Sequence, residues 1–461
     1  MPRPTVIVAL PLAWGVRNVL RSGLYDRLSA HCRVILGVPA VGRDSLLAEG
    51  IADDDLLTLE PPHETRVHSW LLRLLSHAQR ARHPSYSDAT LLAWNERSRG
   101  LRARARDSLF AVGGQLAQAA PIYAALERQR RRVAAATTDA RIEAAIDQLR
   151  PIAALSTACV VGWEWPLFRA LQRRGISTVA HILSFDNLTS RGYLPIGGFS
   201  HYLTWQPRMS EEIRTLYRVP HDQVTETGTP QFDFHVLPRY RWSRERTAER
   251  LSLTQRTPYL LYCANHHAIT PSEPALVAAL ADRLASDATL GSHRLVVRLH
   301  PMDSYTRWDA LPARCPQVCL SLPWAQGKAA YWAAPTDDDL ALLGNSLRYA
   351  DAALTVASTA ALDAAIVDTP TVCIGFNADA PTLESRFYHD AHFSHHFRPI
   401  MQHGATPLAR TMDELLHELR QATERPAALQ NQRGSLVSDL CGTVDGGAAE
   451  RIASAFLGCV H

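Results

Sequence analysis

Residues 350–370 of this 461-residue chain read ADAALTVASTAALDAAIVDTP. The apolar run at 352–356 predicts a buried strand, and the small residues from Ala360 onward predict a helix that starts directly after it. Ser358 and Thr359 lie at this junction, where a hydroxyl can accept a hydrogen bond from the first backbone N–H groups of the helix. Because the same N–H groups attract anions, the segment predicts either a simple helix cap or a turn that binds phosphate.

A second polar group follows another apolar run, upstream of this block. The strand predicted at 294–299 runs into the tetrapeptide RLHP at 298–301. Pro301 ends the strand, so His300 is expected at its carboxyl end. There the imidazole can donate a hydrogen bond to a phosphate or to a leaving-group oxygen, or it can merely satisfy loop backbone groups.

Strands and helices alternate on both sides of these segments, which predicts parallel sheets covered by helices on both faces. Predicted strands occupy residues 5–12, 33–38, 56–59, 152–156, 178–183, 201–205, 259–263, 294–299, 318–320, 352–356 and 371–375. Predicted helices include residues 18–30, 165–174, 210–217, 412–422 and 448–457. We expect an α/β protein with two Rossmann-like domains, residues 1–238 and 255–461, facing across a cleft, with a charged linker at 239–250.

Residues 63–150 interrupt the alternation and predict a helical insertion rich in arginine, alanine and leucine. Its arginine clusters at 97–106 and 128–132 have two interpretations. They are solvated helix faces, or they form a surface that docks an acceptor or a membrane.

Composition narrows the class of protein. The formal net charge is +3 and 46% of the residues are hydrophobic, which argues against nucleic acid as a partner and against disorder. We find no run of the roughly 18–20 apolar residues that a membrane span needs. The eight cysteines are scattered without a CxxC pair, which indicates a reducing compartment. We therefore expect a cytoplasmic protein with at most a peripheral contact to the inner membrane face.

The loop after the strand predicted at 178–183 reads SFDNLTSRG at 184–192. Asp186 is a candidate base for an acceptor hydroxyl, with His181 in the preceding strand as its rival. An Asp-Asn pair is also ordinary Asx-turn chemistry.

Histidines in two further loops are candidates for ligand contacts. Asn265 and His266 follow the strand at 259–263 and can reach a donor phosphate or sugar, or serve the loop alone. Residues 388–399, YHDAHFSHHFRP, place His392 and His396 four positions apart. That spacing suits a metal, but no carboxylate or cysteine set accompanies it, so we predict no metal. Cys315 and Cys319 likewise lack a second pair.

The order of these segments resembles the C-terminal half of GT-B glycosyltransferases, most closely the CDP-glycerol glycerophosphotransferase and surface-carbohydrate (capsule) biosynthesis group. In that group an (R/K)xHP strand end precedes a block of the form aDaaLTdxSSxxxDaaxxxxP. The segments at 184–192 and 224–232, SFDNLTSRG and VTETGTPQF, resemble its SWDNLTxKG and vxVtGxPqfD segments. This chain departs from the pattern at Phe185, Arg191 and Ala357-Ser358-Thr359, and the resemblance does not cover residues 63–150.

The resemblance implies a GT-B fold with the acceptor on the N-terminal half and the nucleotide donor on the C-terminal half. The implied chemistry is an inverting, metal-independent transfer of a sugar or polyol phosphate. The donor, a nucleotide-sugar or CDP-polyol, is a substrate, and no cofactor is predicted. The acceptor is a surface glycan or a lipid-linked intermediate. Two alternatives remain: a nucleotide-sugar 2-epimerase of the same fold, which needs paired acid and base carboxylates, and a non-catalytic GT-B scaffold.

The implied site has a catalytic and a donor-binding part. Asp186 and His300 are the predicted catalytic residues. The predicted donor-binding residues are Asn265, His266, Arg298, Ser358, Thr359, Asp363 and His395, the last from a tyrosine- and histidine-bearing loop in which His396 is an alternative.

Overall fold

A computed structural model describes residues 3–61, 64–83, 94, 100–189, 197–324, 332 and 334–459. Its internal contacts divide the chain into two compact units. The first comprises Met1–Asp88, Asn95–Thr229 and Gly447–His461, and the second comprises Ala89–Trp94 and Pro230–Gly446. Each unit contains one parallel sheet with flanking helices, which confirms the predicted α/β fold.

The sheet of the first unit has seven parallel strands in the order β3-β2-β1-β4-β5-β6-β7. These are β1 Thr5–Ala9, β2 Arg33–Pro39, β3 Leu56–Leu59, β4 Ala153–Ser156, β5 Ser177–His181, β6 His201–Thr204 and β7 Val224–Glu226. The described helices are α1 Ala13–Val19, α2 Leu24–Ser29, α3 Ala40–Ala48, α4 Arg66–Arg82, α5 Leu101–Ala117, α6 Ala120–Ala136, α7 Ala140–Leu149, α8 Trp165–Arg173 and α9 Pro207–Tyr217.

The second unit has a six-stranded parallel sheet in the order β10-β9-β8-β11-β12-β13. These are β8 Tyr259–Cys263, β9 Arg294–Arg298, β10 Val318–Ser321, β11 Ala352–Thr355, β12 Thr371–Ile374 and β13 Leu408–Ala409. The described helices are α10 Arg244–Arg250, α11 Glu273–Ala285, α12 Leu311–Arg314, α13 Asp337–Arg348, α14 Ala360–Ile366, α15 Thr382–Asp390, α16 Arg398–Gln402, α17 Met412–Glu424 and α18 Gln430–Leu440. A 3₁₀ segment, Pro230–His235, opens this unit.

The apolar runs form the central strands because a parallel strand is covered on both faces. In β1, Val6 pairs with Val34 of β2 and Ala153 of β4, and all of these side chains are buried. In the second sheet, Leu261 of β8 pairs with Val296 of β9, again with both buried. The carboxyl ends of β8, β9 and β11 consequently meet at one edge of that sheet.

Several boundaries differ from the sequence prediction, and two of the differences have a clear structural reason. The single helix expected at 18–30 is divided into α1 and α2, because Gly23 adopts a left-handed conformation with φ of 82°. The last helix, α19 (Ala448–Gly458), has its contacts with the first unit, although it follows the second in the chain. Ser177 Oγ donates to the carbonyl of Cys459 at 3.0 Å, and Arg451 Nε donates to the carbonyl of Thr227 at 2.8 Å.

The predicted helical insertion is present as α4 to α7. Leu74, Ala78, Phe110 and Ala117 form its small buried cluster. Within the described part of the chain, no individual helix has the length and apolarity to span a membrane. The pair α5 and α6, bent by 118°, passes that test of length and composition only when taken together.

Replacing Leu155 with alanine is expected to destabilise the first unit by about 2–5 kcal/mol, because a fully buried leucine in the middle of β4 would leave a cavity. Leu101→Ala is the matched control, since that side chain is 84% exposed and its loss should change stability by less than about 0.5 kcal/mol. Urea unfolding of both variants measures the difference, and equal effects would contradict the assigned core.

Candidate functional site

The loop that follows β8 is fixed by the buried carboxyl group of Glu273. This carboxyl accepts hydrogen bonds from the backbone N–H of Asn265 at 3.0 Å, the Thr270 hydroxyl at 2.8 Å and the Tyr262 hydroxyl at 3.0 Å. Burial raises the pKa of Glu273 to about 8. The side-chain amide of Asn265 donates to the carbonyl of Val356 at 2.7 Å. Asn265, predicted to contact the donor, therefore joins the loop after β8 to the end of β11.

His300 lies directly after β9, as predicted. Its Nδ1 accepts a hydrogen bond from the backbone N–H of Met302 at 3.0 Å. Burial, reinforced by His266, lowers the pKa of His300 to about 4, so the ring is neutral. A neutral ring that accepts at Nδ1 carries its proton on Nε2. His300 is thus a neutral hydrogen-bond donor at the carboxyl end of its strand.

His266 lies beside His300, with their ring centroids 5.9 Å apart. Its Nδ1 accepts from the backbone N–H of Ala268 at 3.2 Å, and burial followed by the charge of His267 lowers its pKa. The structure therefore brings these two predicted residues together at one sheet edge.

Asp303 connects the loops after β8 and β9. It accepts hydrogen bonds from Arg307 at 2.6 Å and from Trp308 Nε1 at 2.9 Å. Burial opposes its ionisation, but these donors hold the pKa of Asp303 below its ordinary value. Arg307 also donates to the carbonyl of Thr270 at 2.7 Å. The guanidinium of Arg307 consequently ties the two loops together.

The turn between β11 and α14 contains a strained residue held by a histidine. Ala357 has φ of 41°, a left-handed conformation that side chains disfavour. Its backbone N–H donates to Nε2 of His392 at 3.1 Å, while Nδ1–H of the same ring donates to the carbonyl of Tyr388 at 2.8 Å. Burial lowers the pKa of His392 to about 4. Both ring nitrogens are therefore engaged within the protein, which leaves neither for a metal.

Ser358 and Thr359 follow Ala357, but the predicted cap is weak. The Thr359 side chain makes no cap hydrogen bond to the helix, and Ser358 Oγ accepts from the backbone N–H of Ala360 at the long distance of 3.4 Å. Their hydroxyl groups lie at the same sheet edge as His300, on the far side of β8.

Two other predicted donor-binding residues make internal contacts. Asp363 pairs with the buried His235 of the segment Pro230–His235 at 2.7 Å. Arg298 is buried and donates to the carbonyl of Leu322 at 2.6 Å and to the hydroxyl of Ser321 at 3.1 Å. Burial lowers the pKa of Arg298 to about 10. These contacts tie Asp363 to the start of the unit and Arg298 to the edge strand β10.

His395 is half-buried in the short connection before α16. Its assignment to the donor stays a prediction, as does that of His396. Among the described residues, no group of three histidine, cysteine, aspartate or glutamate side chains has the arrangement of a metal site. All eight cysteines are free thiols, and only Cys319 and Cys459 are not fully buried.

Asp186 lies in a turn after β5 of the first unit. Asn187 Oδ1 accepts from the backbone N–H of Ser184 at 3.1 Å, and the carbonyl of Asp186 accepts from the N–H of Thr189 at 3.2 Å. Asp186 itself is partly exposed. The remaining part of the predicted loop, including Arg191 and Gly192, lies outside the described residues.

The rival base, His181, is buried, as the sequence suggested. Its Nε2 donates to the carbonyl of Gly228 at 3.3 Å, and burial lowers the pKa of His181 to about 4. Sequence reasoning missed Glu164, whose buried carboxyl accepts from Ser156 Oγ and from the N–H of Ala158 at 3.2 Å. Burial raises the pKa of Glu164 to about 8.

Glu273 and the role of His392 were also missed. The only local signal for Glu273 was an acid in the first turn of a helix, which usually reflects the helix dipole. The partners of both residues lie on other elements, so no local pattern announces them.

The buried state of His392 predicts a pH dependence. Its pKa in the folded protein, about 4, lies below the ordinary value of about 6.5. Its stabilising contribution is therefore complete above pH 6.5 and is lost progressively as the pH falls from 6.5 towards 4. The stability difference between the wild type and His392→Gln should shrink by about 2 kcal/mol from pH 7 to pH 5.

Urea unfolding of both proteins at the two pH values gives this difference, in which the titration of all other groups cancels. His417→Gln, at an exposed position on α17, serves as the control and should show no such change. A wild-type advantage that is independent of pH would contradict the neutral, buried state of His392.

Several solved structures are similar to this chain in their overall fold. The UDP-GlcNAc 2-epimerase from Neisseria meningitidis, solved bound to UDP-GlcNAc, matches with a TM-score of 0.53 at 10% identity, over 98% of this chain and 100% of that one. The UDP-GlcNAc 2-epimerase from Methanocaldococcus jannaschii gives a TM-score of 0.53 at 10% identity, over 98% and 99%. A glycosyltransferase from Rickettsia africae gives 0.50 at 8% identity, over 99% of both chains.

No family model and no curated protein matches the sequence. Identities of 8–12% are informative about the fold alone. These proteins have the GT-B fold, so the likeness concerns the fold and is silent on the CDP-glycerol group. The chain thus has a two-unit α/β fold of the GT-B type.

Proposed function

We propose that this chain is a glycosyltransferase that moves a sugar, or a polyol phosphate, from a nucleotide-activated donor to an acceptor hydroxyl. The observation that carries the proposal is the neutral, proton-donating His300 at the carboxyl edge of the second sheet. In open α/β sheets this edge is where ligands bind. A donor whose leaving group is an anion suits an edge that offers hydrogen-bond donors.

The proposed diphosphate site extends from His300 to Ser358 and Thr359. Because β8 lies between β9 and β11, the two ends of the site are separated by two strand spacings, about 10 Å. His300 supplies Nε2–H at one end, and the two hydroxyl groups lie at the other. His266 lies between them, on the loop after β8.

The rigidity of this edge supports a catalytic role. Asn265 ties the β8 loop to the end of β11, Arg307 ties it to the β9 loop, and His392 holds Ala357 in its strained conformation. Donors that are fixed before the ligand arrives stabilise charge on a leaving group without reorganisation. We expect this preorganisation to lower the barrier for departure of the diphosphate.

In the proposed reaction, the acceptor oxygen forms a bond to the donor carbon as the bond from that carbon to the diphosphate breaks. Asp186 accepts the proton of the attacking hydroxyl, and His300 donates a hydrogen bond to the departing oxygen. His181 is a poor base because it is buried and burial lowers its pKa to about 4. For transfer of polyol phosphate, the acceptor oxygen would bond to the distal phosphorus as the P–O bond to the nucleoside monophosphate breaks; Asp186 would again accept the proton and His300 would donate a hydrogen bond to the departing phosphate oxygen.

A nucleotide-sugar 2-epimerase is the second candidate. It is favoured by the match over nearly the full length to epimerases, one of them bound to UDP-GlcNAc. Glu164 and Asp186 follow the neighbouring strands β4 and β5 and would be its acid and base. Both oxygens of Glu164 already accept hydrogen bonds from Ser156 and Ala158, which favours a structural role and hence the transferase.

The two activities can be distinguished experimentally because only the transferase needs an acceptor. An epimerase changes the sugar of the nucleotide-sugar alone, which proton NMR detects. A transferase releases the nucleotide and retains the sugar on an added acceptor. Epimer formation without an acceptor would overturn the proposed transfer.

His300→Ala is expected to weaken binding of the nucleotide diphosphate about tenfold, because one hydrogen bond to a charged phosphate is lost. Thermal shift against CDP, UDP, GDP and dTDP measures this, since stabilisation grows with the logarithm of ligand concentration over the dissociation constant. His417→Ala, exposed on α17, should bind like the wild type. If no nucleotide raises the melting temperature of the wild type, the proposed donor site is wrong.

Asp186→Asn should lower turnover at least about 100-fold, because the amide cannot accept the acceptor proton. Nucleotide binding should be unchanged, since Asp186 belongs to the other unit. Asp222→Asn, an exposed aspartate of the same unit, is the matched control and should keep full activity. Turnover that survives in Asp186→Asn would exclude this residue as the base.

A further inference from the structure

The first unit has a cavity of about 290 Å³ that is open to solvent on one side and has no part in the donor site. It lies between α6 of the helical insertion, α8 and the chain just before β6. Its lining includes Arg130, Arg131, Glu164, Trp165, Phe168 and Arg169. All of them belong to the first unit.

One face of α8 forms part of the cavity wall. Trp165, Phe168, Arg169, Gln172 and Arg173 are spaced three and four apart, so they lie along one face of α8. The opposite face of α8, with Leu167 and Leu171, is buried. The cavity is therefore built on the solvent side of a helix that the insertion covers.

Four arginines line the cavity and give its wall an excess of positive charge. Among the described residues of its lining, Glu164 is the only acid, and burial raises the pKa of Glu164 to about 8, so it is uncharged at neutral pH. The pKa of Arg169 is lowered, first by burial and further by the charges of Arg130 and Arg173. The guanidinium groups are thus close enough to repel one another.

The arginines are also held in place by carboxylates that do not line the cavity. Glu127 pairs with both Arg130 and Arg131, at 2.9 Å and 2.7 Å, so one carboxylate serves two cations. Glu64 pairs with Arg169 at 3.1 Å, and Glu143 pairs with Arg173. This arrangement orients the cations and leaves their charge in excess at the cavity wall.

Flat apolar surfaces lie beside this charge. The rings of Phe168 and Phe199 are in contact, with centroids 5.1 Å apart. Gly197 gives Arg131 the room to lie against the chain, since a Cβ at this position would be 2.8 Å from a terminal nitrogen of Arg131. Gln172 adds a neutral group that can both donate and accept hydrogen bonds.

We propose that this cavity binds a phosphorylated sugar or polyol, with the phosphate on the arginines and the ring against Trp165 and Phe168. Arginine forks match phosphate oxygens, and apolar ring faces pack against the C–H face of a sugar. The volume, at the small end of ligand pockets, suits one ring and one phosphate. That this ligand is the acceptor rests on the transferase proposed above, whereas its binding does not.

Calorimetric titration with glucose 1-phosphate tests the proposal on the full chain without nucleotide. We expect binding to the wild type and an affinity about tenfold lower in Arg131→Gln, because a charge-assisted hydrogen bond is lost. Arg131 is 58% exposed, so the variant should fold, which circular dichroism and the melting temperature verify. Arg131→Lys should retain part of the affinity. Arg102→Gln, exposed on α5, is the matched control and should bind like the wild type.

Two further probes define the chemistry. Glucose should not bind measurably, and inorganic phosphate should bind more weakly than glucose 1-phosphate. If phosphate binds as tightly as the sugar phosphate, the proposed contact with the ring is wrong. No binding of glucose 1-phosphate, or an equal loss in Arg131→Gln and Arg102→Gln, would overturn the site.

The phosphate can belong to a free sugar phosphate or to a lipid headgroup. Flotation with phosphatidylcholine vesicles, with and without phosphatidylinositol, separates these sources. Once glucose 1-phosphate is shown to bind, retention that also requires phosphatidylinositol and Arg131 indicates a lipid-borne ligand, and the absence of such retention indicates a free one. Either result supports the anion site.

The outcome of this test does not depend on the outcome of the nucleotide-binding test of the proposed function. If glucose 1-phosphate does not bind but nucleotides still stabilise the protein through His300, only the cavity assignment is lost. If the sugar phosphate binds while no nucleotide raises the melting temperature, the donor site is lost and the cavity assignment stands.

Discussion

The hydrogen bond from the Asn265 side chain to the carbonyl of Val356 is the contact on which the candidate donor site depends. It joins the loop after β8 to the end of β11, two segments that are 91 residues apart in the chain. Glu273 holds the backbone of Asn265 from the other side. Without this pair of contacts the carboxyl ends of the strands would still be adjacent, but the loops that they carry would have no common geometry.

Three largely buried titratable groups of the second unit, Glu273, His300 and His392, are neutral and hydrogen-bonded. Burial disfavours the charged form, so it raises the pKa of Glu273 and lowers the pKa values of His300 and His392. Neutral groups with fixed partners direct hydrogen bonds without the desolvation cost of an unpaired charge. The cavity of the first unit shows the opposite arrangement, with permanently charged guanidinium groups such as that of Arg131 held by acids behind them. The sheet edge of the second unit therefore offers an anion neutral hydrogen-bond donors, whereas the cavity of the first unit offers it positive charge.

Within one sequence motif, some residues lie at the carboxyl edge of the second sheet and others make contacts that hold the surrounding structure. His300 presents a donor, whereas Arg298, two positions earlier, binds Leu322 of the neighbouring segment. Likewise Ser358 and Thr359 lie at the edge, and Asp363 pairs with His235. Each motif runs from a strand into a loop or a helix, so its side chains point in different directions and serve both purposes. A motif match alone consequently does not identify the residues that contact a ligand.

The sequence predicts those features of the fold that depend on residues close together in the chain. The positions of β1, β8 and β9 and the α/β fold were predictable, because apolar runs of strand length between helices have few other solutions. The location of His300 at a strand end followed from Pro301. The break at Gly23 was missed because a glycine within a helical pattern does not reveal its φ angle.

The tertiary structure decided everything that depends on partners from other elements. The pKa of His300 is lowered by burial and by His266 from another loop, and Ala357 is held in a left-handed conformation by a histidine 35 residues away. The packing of α19 on the first unit and the cavity between α6 and α8 likewise join segments that are remote in the chain. Local patterns determine which elements form and where they end. Burial, pKa values and the orientation of side chains depend on the packing of those elements, which local patterns do not encode.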